Sequence, residues 1–570
     1  MRTKYCGNIT VSDVNQTVTL CGWVDRKRNF GNFIFVDIRD CTGTVQIFFH
    51  SKNHAAFQNA LKLRNEFCIQ VIGIVQKRTV KNQNMKIKTG LVEIVANVLN
   101  IINSAISLPM DINQHNEEKI RFKYRYLDLR RVDMFQNLKS RHEITKYIRN
   151  FLNKHDFLDL ETPLLSKSTP EGAKEYFISS RMHQNKYYAL PQSPQIFKQL
   201  LMISGIDKYY QIVKCFRDED LRSDRQPEFT QIDIEAAFIN DIYIKHITES
   251  IIKMLWKKFL NYTLTDIPSI TFSDAINKYG SDKPDLRNPI QLYHIKKSNL
   301  VYNTNSSNEN NIITIALVIP MGISKFSECE IYNINKIIDV YNTINYVYIY
   351  VYNLKNQEYK IINTINPLKT HNTIEIIDNI NANNGDIILI LSGKKDVVNN
   401  LSNQVKNIIA QKLDLIDQNS WKPIWITDFP MFKKDKNNVL SATHHPFTAP
   451  KNIDIQTLTT INPESILSNA YDLVINGYEV GGGSVRIHNP EVQKIIFDIL
   501  NISIKTNKHP FDFFVHALKY GTPPHAGIAL GLDRIVMLLT KNNNIKDVIA
   551  FPKTNTATCL MSGTPSTIIY

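Results

Sequence analysis

Between residues 17 and 101 the apolar positions fall into five short runs: Val18 to Val24, Phe33 to Ile38, Val45 to Phe49, Phe67 to Val75 and Val92 to Ile101. A helix-like segment, Ala55 to Arg64, separates the third from the fourth. Short β-patterned runs broken by turn residues predict strands, so residues 1–105 predict a five-stranded barrel. A polar hinge over 106–130 leads into an amphipathic pattern from Asp133 to His155, which predicts a long helix. Phe157 to Pro163 then predicts a strand stopped by proline. Two further β-patterned runs, Tyr210 to Arg217 and Phe229 to Phe238, flank a charged loop from Asp218 to Glu228. Over 289–416 the chain turns to Ile, Asn and Tyr, with strand-like stretches at Tyr346 to Tyr352 and Asp386 to Leu391 and few residues suited to chemistry. The expectation is an α+β multidomain protein, in which an inserted α+β domain, 289–416, splits a second domain into 131–288 and 417–570.

The length of 570 residues and 43% hydrophobic content are enough for several cores. Seven cysteines (Cys6, Cys21, Cys41, Cys68, Cys215, Cys329, Cys559) are scattered with no Cys-x-x-Cys pair, which predicts neither a zinc ribbon nor a disulfide framework. The N-terminus lacks an apolar signal core, and no apolar run reaches the ~18 to 20 residues of a membrane helix. A cytoplasmic protein with no membrane partner is expected. The net charge of +14 favours polyanionic partners, although a genome rich in Lys, Asn, Ile and Tyr codons would produce the same excess.

Alternation along the strands locates the candidate chemistry. Phe33 and Phe35 share one face of their strand, and Ile34, Val36 and Ile38 share the other. With cations nearby in Arg26, Lys27, Arg28, Lys77 and Arg78, the rings are either a stacking platform for single-stranded nucleic acid, as in oligonucleotide-binding (OB) folds, or ordinary barrel core. Arg217 and Glu219 fall on one face of the first run, and Gln231, Asp233 and Glu235 on one face of the second. Charges at period two among Ile, Val and Phe are costly unless paired or bound to ligands, so this ladder points to a site. Gly481-Gly-Gly483 is no P-loop, because Ser484 to His488 continues as a strand, whereas a P-loop opens a helix.

Cys215-Phe-Arg-Asp-Glu219 with Phe229-Thr-Gln-Ile-Asp233 resembles motif 2 of the class II aminoacyl-tRNA synthetases, and Gly527-Ile-Ala-Leu-Gly-Leu-Asp-Arg534 resembles their motif 3. The segment ending at Pro163 resembles motif 1, which implies a homodimer. Ser168-Thr-Pro-Glu-Gly-Ala173, Gln192-Ser-Pro-Gln-Ile-Phe-Lys198, His444-His-Pro-Phe447 and Gly477-Tyr-Glu-Val-Gly-Gly-Gly-Ser-Val-Arg486 are similar to the bacterial aspartyl-tRNA synthetases. The resemblance covers residues 1 to 288 and 417 to 567. It implies a six-stranded antiparallel catalytic sheet and attachment of L-aspartate to tRNA(Asp) through an adenylate made from ATP.

By the same resemblance, Arg217, Glu219 and Arg534 are catalytic, with Arg217 on the α-phosphate and Arg534 on the γ-phosphate. ATP binding also implicates Asp218, Gln226, Glu479, Gly531, Leu532 and Asp533. Asp472 and Glu479 are the implied Mg2+ ligands, with no zinc. For aspartate, Glu171, Gln195 and Asp233 serve the ammonium side, Lys198 and Arg486 clamp the side-chain carboxylate, and Ser193, Arg217, His444 and His445 complete the pocket. Asparagine is then expected to lose because two buried cations would be left bare. In the barrel, Phe35 would stack on an anticodon base, with Gln46 and Glu93 bonding base edges and Arg28, Arg78 and Asn82 assisting.

Two features depart from the family pattern: the diverged segment 289–416 and a tail that stops at Tyr570. The rival classes are the asparaginyl and lysyl synthetases, an asparagine synthetase of related fold, and a non-catalytic RNA-binding paralogue. Phe30, in a loop near the implied anticodon site, leaves open whether tRNA(Asn) is also charged.

Overall fold

The structure is a computed structural model. It describes all residues except 115, 170–171, 296–299, 302–311, 354–357, 364–368, 371–372, 381, 435–437, 503–510 and 568–570. The chain forms two compact units, residues 1–136 with 558–570, and residues 137–557.

In the first unit five strands close a barrel in the order Thr17–Asn29, Phe33–Asp40, Gly43–His50, Val92–Asn103, Cys68–Lys77. All neighbours run antiparallel except Gly43–His50 and Val92–Asn103, which are parallel. The helix His54–Lys62 is capped by the Asn53 side chain and buries Ala56, Phe57 and Ala60. Ile34, Val36 and Ile38 lie in the barrel core with no exposed surface. Phe33 and Phe35 point the other way, so they are not core residues. The expected hinge is not a bare linker: Arg125 and Asp128 are buried and bonded at 2.5 Å, and Arg130 reaches Glu66 of the barrel at 2.7 Å.

The helix Val132–Lys154 leads into the second unit. Its main sheet has eight strands, in the order Ser269–Thr271, Pro423–Thr427, Ala470–Ile475, Tyr478–Val485, His525–Gly531, Glu228–Ala237, Lys208–Phe216, Leu158–Asp159. The inner six are antiparallel, and a short strand lies parallel to its neighbour at each edge. The expected six-stranded antiparallel sheet is present as these inner six strands, and the two parallel edge strands extend it to eight. The strand expected from Phe157 to Pro163 is reduced to Leu158–Asp159, one of these edge strands.

One sheet face packs against the helices Asp241–Leu260 and Leu532–Leu539 through Ile232, Ile234, Ile244, Ile251, Leu255, Ile528, Leu530 and Val536. The opposite face is left to the polar residues of the same strands. A separate five-stranded antiparallel sheet, in the order Leu292–His294, Ile312–Ile319, Ile387–Lys394, Asn345–Asn353, Glu358–Asn363, occupies the middle of the chain. It buries apolar residues on both faces, one under the helices Glu328–Asp339 and Lys395–Lys412 and the other under Thr373–Asn379. No helix among the described residues is long and apolar enough to cross a membrane.

Candidate active site and nucleic-acid face

Three segments bring charge to the open face of the main sheet. The strand Glu228–Ala237 presents Gln231, Asp233 and Glu235 at period two, with Asp233 and Glu235 fully buried. The helix Gln195–Ile203 turns Gln195, Lys198, Gln199 and Met202 inward, the i, i+3, i+4, i+7 spacing of one helical face. Beside an apolar stripe Lys198 reads as a surface lysine, yet it is 1% exposed. Arg486 follows the strand Tyr478–Val485 and is equally buried.

These four ionic groups form one cluster. Lys198 Nζ lies 2.7 Å from Asp233 Oδ1 and 3.2 Å from Glu235 Oε2. Arg486 grips Glu235 with two donors, Nε at 2.9 Å and a terminal nitrogen at 3.0 Å. Both carboxyls resist ionisation by burial, but the balance differs. The Arg486 guanidinium and Lys198 together bring Glu235 down to about 2. Asp233 has Lys198 on one oxygen only, and burial holds it above the usual carboxylate range. Its Oδ2 is buried with no hydrogen-bond partner. The expectation of bare cations is corrected: Lys198 and Arg486 already face protein carboxylates.

The adjacent histidines divide. His444 Nε2 sits 3.2 Å from Asp472. Burial opposes its protonation, but Asp472 and Glu479 outweigh burial and raise its pKa. His445 is driven well below the imidazole range by burial and by Arg486, which donates to its Nε2 at 2.6 Å. Only His444 fits the expected protonated imidazole, since a charged His445 would set donor against donor.

The phosphate-side residues lie where strand gives way to loop. The first strand of the hairpin ends at Phe216, so Arg217 and Glu219 are loop residues and not strand neighbours. The Arg217 guanidinium lies 5.1 Å over the Phe229 ring, its Nε is buried without a hydrogen-bond partner, and it forms no ion pair among the described residues. Such a cation is poised for an anion. Arg534, in the first turn of Leu532–Leu539, donates to the Glu479 carbonyl at 2.6 Å and meets Asp224 at 3.0 Å. Glu219 pairs with Arg225 at 3.1 Å, and Asp218 is exposed. Three of the expected ATP contacts turn out to brace the fold through their side chains. Gln226 donates to the Lys553 carbonyl and accepts from the Lys553 N–H, Asp533 binds Arg141 and the Thr230 N–H, and Leu532 is core. Any ATP contact from Gly531, Leu532 or Asp533 falls to the backbone. Ser193 accepts from the Gln195 N–H at 3.3 Å, and Glu171 lies outside the described residues.

A divalent ion has a donor set to meet. A Cβ at Gly482 would lie 2.8 Å from Asp472 Oδ1 and 3.7 Å from Glu479 Oε1, so the two carboxylates converge where glycine leaves room. Lys283 Nζ is 2.6 Å from Glu479 Oε2, and its charge with that of Arg534 brings Glu479 down to about 2 against the opposing effect of burial. Two carboxylates and a phosphate-rich substrate suit a hard cation, which keeps most of its shell as water or phosphate oxygen. No group of three or more His, Cys, Asp and Glu side chains that could hold a metal occurs among the described residues.

On the barrel, cross-strand pairing sets Phe35 against Phe48 and Asp37 against Gln46. The Phe35 ring is 5.3 Å from Phe48 and 5.9 Å from Phe30, while Phe33 is 40% exposed. Beside the rings Arg28 donates to Asp37 at 2.9 Å and to Gln46 at 3.1 Å, and Gln46 donates to Glu93 at 2.8 Å. Arg78 donates to the Val92 carbonyl and keeps a buried terminal nitrogen unpaired. Asn82 is exposed nearby in sequence. This is an aromatic platform edged by ordered donors and acceptors, the chemistry of a single-stranded nucleic-acid reader.

Sequence reasoning placed Glu235 on the right face but gave it no role. It overlooked Gln199, Ser484, His525 and Lys283 altogether, although the helical spacing of Gln195, Lys198 and Gln199 was a usable signal.

An antiparallel sheet with a charged open face, an arginine after one strand and another in a helix's first turn define a class II synthetase. Residues 117–555 match the family described as tRNA synthetases class II (D, K and N), and residues 18–102 match the OB-fold nucleic acid binding domain. The chain belongs to the aspartate–tRNA ligases of that class. An "Aspartate--tRNA ligase" of Buchnera aphidicola subsp. Acyrthosiphon pisum (strain Tuc7) is 53% identical over 575 residues, covering 100% of this chain and 97% of that one. The protein of the same name from Buchnera aphidicola subsp. Baizongia pistaciae (strain Bp) is 51% identical over 584 residues, with both chains covered in full. Asparaginyl-tRNA synthetase from Pyrococcus horikoshii, solved with asparaginyl-adenylate, shares the fold at 19% identity and a TM-score of 0.57, over 97% of this chain and 98% of that one.

Proposed function

We propose that this chain activates L-aspartate with ATP and transfers it to tRNA(Asp). The observation that carries the amino-acid choice is the donor count in the buried cluster. Lys198 has three N–H groups, two of them directed at Asp233 and Glu235. Arg486 has five, two on Glu235, one on Ser484 and one on His445. One N–H of each cation remains, two donors for the two oxygens of a side-chain carboxylate. Asparagine offers one oxygen and an NH2, which sets donor against donor and costs about 3 to 4 kcal/mol, roughly a hundred- to a thousandfold. The Oδ2 of Asp233, buried with no hydrogen-bond partner, suits the substrate ammonium, which the family resemblance also assigns to Glu171 and Gln195.

In the first step the substrate's α-carboxylate oxygen attacks the α-phosphorus of ATP in line, and the bond to the pyrophosphate oxygen breaks. Negative charge growing on the α-phosphate falls to Arg217, whose guanidinium lies 5.1 Å over the Phe229 ring. Arg534 holds the departing pyrophosphate. Asp472 and Glu479 would hold Mg2+, which neutralises phosphate charge when bound. In the second step a hydroxyl of the terminal adenosine of tRNA attacks the adenylate carbonyl and AMP leaves. The site needs no protein nucleophile; positioning and electrostatics supply the rate. The aromatic face of the barrel reads the anticodon through Phe35, with Gln46, Glu93, Arg28, Arg78 and Asn82 beside it. A cytoplasmic homodimer, joined through the segment ending at Pro163, completes the reading.

The test is aminoacylation by purified protein with ATP, Mg2+ and radiolabelled aspartate or asparagine on separately prepared tRNA(Asp) and tRNA(Asn). Aspartate on tRNA(Asp) alone supports a discriminating enzyme, aspartate on both a relaxed one, and no transfer with folded protein refutes the reading.

A further inference from the structure

Behind the substrate face runs a line of three uncharged side chains that share no ligand. His525 opens the strand His525–Gly531, and Gln199 and Gln195 lie one turn apart on the helix Gln195–Ile203. His525 and Gln199 have no exposed surface, and Gln195 is 5% exposed. His525 Nδ1 lies 2.8 Å from the Pro523 carbonyl. Its Nε2 lies 3.0 Å from Gln199 Nε2, and Gln199 Oε1 lies 3.0 Å from Gln195 Nε2.

The directions of these bonds are forced. A carbonyl only accepts, so Nδ1 of His525 carries the proton and donates to Pro523. In a neutral ring Nε2 is then a bare acceptor. Gln199 must therefore present its NH2 to the histidine, which leaves its oxygen toward Gln195. That oxygen accepts only from nitrogen, so Gln195 must present its NH2 to Gln199 and turn its own oxygen away from the helix interior. Burial keeps the ring neutral, lowering the imidazole pKa against the pull of Glu235.

We infer that His525 is a positioning residue which, through Gln199, fixes the amide of Gln195 with its oxygen toward the substrate ammonium. The inference rests on the reading that Gln195 serves that ammonium. An amide free to rotate would present NH2 to NH3+ in half of its orientations, whereas the relay removes that state before the substrate arrives. The relay sets affinity for the amino acid and leaves phosphoryl chemistry alone.

The test is ATP–pyrophosphate exchange with aspartate, using the full chain. His525→Asn keeps a donor near Pro523 but leaves Gln199 without its acceptor. His525→Gln places an amide oxygen near the position of Nε2. The expected result is a rise of about tenfold in KM for aspartate in H525N, kcat within about twofold of wild type, and KM restored in H525Q. Gln199→Leu should raise KM by the same factor, and the double variant Q199L/H525N no further. If H525N does not fold, Q199L carries the test alone. Unchanged KM in Q199L and H525N, additive effects, or a fall in kcat with KM unchanged would overturn the relay. The two readings separate cleanly: wild-type protein without aspartate-dependent exchange refutes the proposed activity, whereas active wild type with a KM defect in Gln195→Ala but none in Q199L or H525N refutes the relay alone.

Discussion

Replacing Glu235 by glutamine tests the charged cluster with almost no change of shape. The side chain is fully buried, receives two bonds from Arg486 and faces Lys198 at 3.2 Å. The amide keeps one acceptor but puts an NH2 where a cation now finds an oxygen, and it leaves Lys198 and Arg486 with Asp233 as the sole anion of the cluster. Removing one partner of a buried pair costs about 3 to 5 kcal/mol. The depressed pKa gives the same scale: a carboxyl near 4.5 in the unfolded chain, brought to about 2 in the fold by Arg486 and Lys198 against burial, corresponds to about 3 kcal/mol. The sign follows, because a depressed carboxyl stabilises the fold fully above 4.5 and loses that contribution as pH falls through 2. Asp233 is shifted in the opposite direction, so the wild-type pH profile alone mixes the two, and the difference between wild type and E235Q isolates Glu235. Urea unfolding should show E235Q less stable by about 3 kcal/mol at pH 7, with the gap narrowing steadily below pH 4.5. Equal midpoints at pH 7, or a gap that stays constant down to pH 3, would refute the charge argument.

Gly527→Ala should reproduce much of that loss by geometry, because its Cβ would lie 1.8 Å from Glu235 Oε2 and 2.3 Å from the Ile234 carbonyl; thermal unfolding should fall and aspartate-dependent exchange should drop with it. Arg217→Ala removes a cation with no ion pair to break among the described residues, so pyrophosphate exchange should fall by about a hundred- to a thousandfold while the melting temperature stays within a degree or two. Phe35→Ala should raise KM for tRNA in aminoacylation by roughly five- to a hundredfold, the scale of one stacked base, and leave pyrophosphate exchange untouched. A drop in exchange would show that the ring supports the fold rather than the tRNA.

What could be read from the chain, and what could not, divides by the range of the interaction. The barrel was legible because its signal is local: alternation along Phe33–Asp40 separates Ile34, Val36 and Ile38 from Phe33 and Phe35 without knowledge of any other strand. The ladder Gln231, Asp233, Glu235 was legible for the same reason. What each charge does was not. Glu235 is paired by Arg486, 251 residues further on, and Gln199 by His525, 326 residues away, so nothing near either position in the sequence records the bond. The motif spacing supplied candidate ligands but not their protonation or their free donors. His444 and His445 are neighbours of identical type, yet one faces Asp472 and the other Arg486, and the two are driven in opposite directions. Gln226 and Asp533 show a related effect. Their motifs place them beside the phosphate residues, but the tail at Lys553 and the helix at Arg141 reach them first. In the proposed reading, selectivity for a carboxylate over an amide rests on one spare N–H from each of two cations. That count exists only after every protein partner has taken its share, so the specificity of this site is a property of the assembled network rather than of any residue in it.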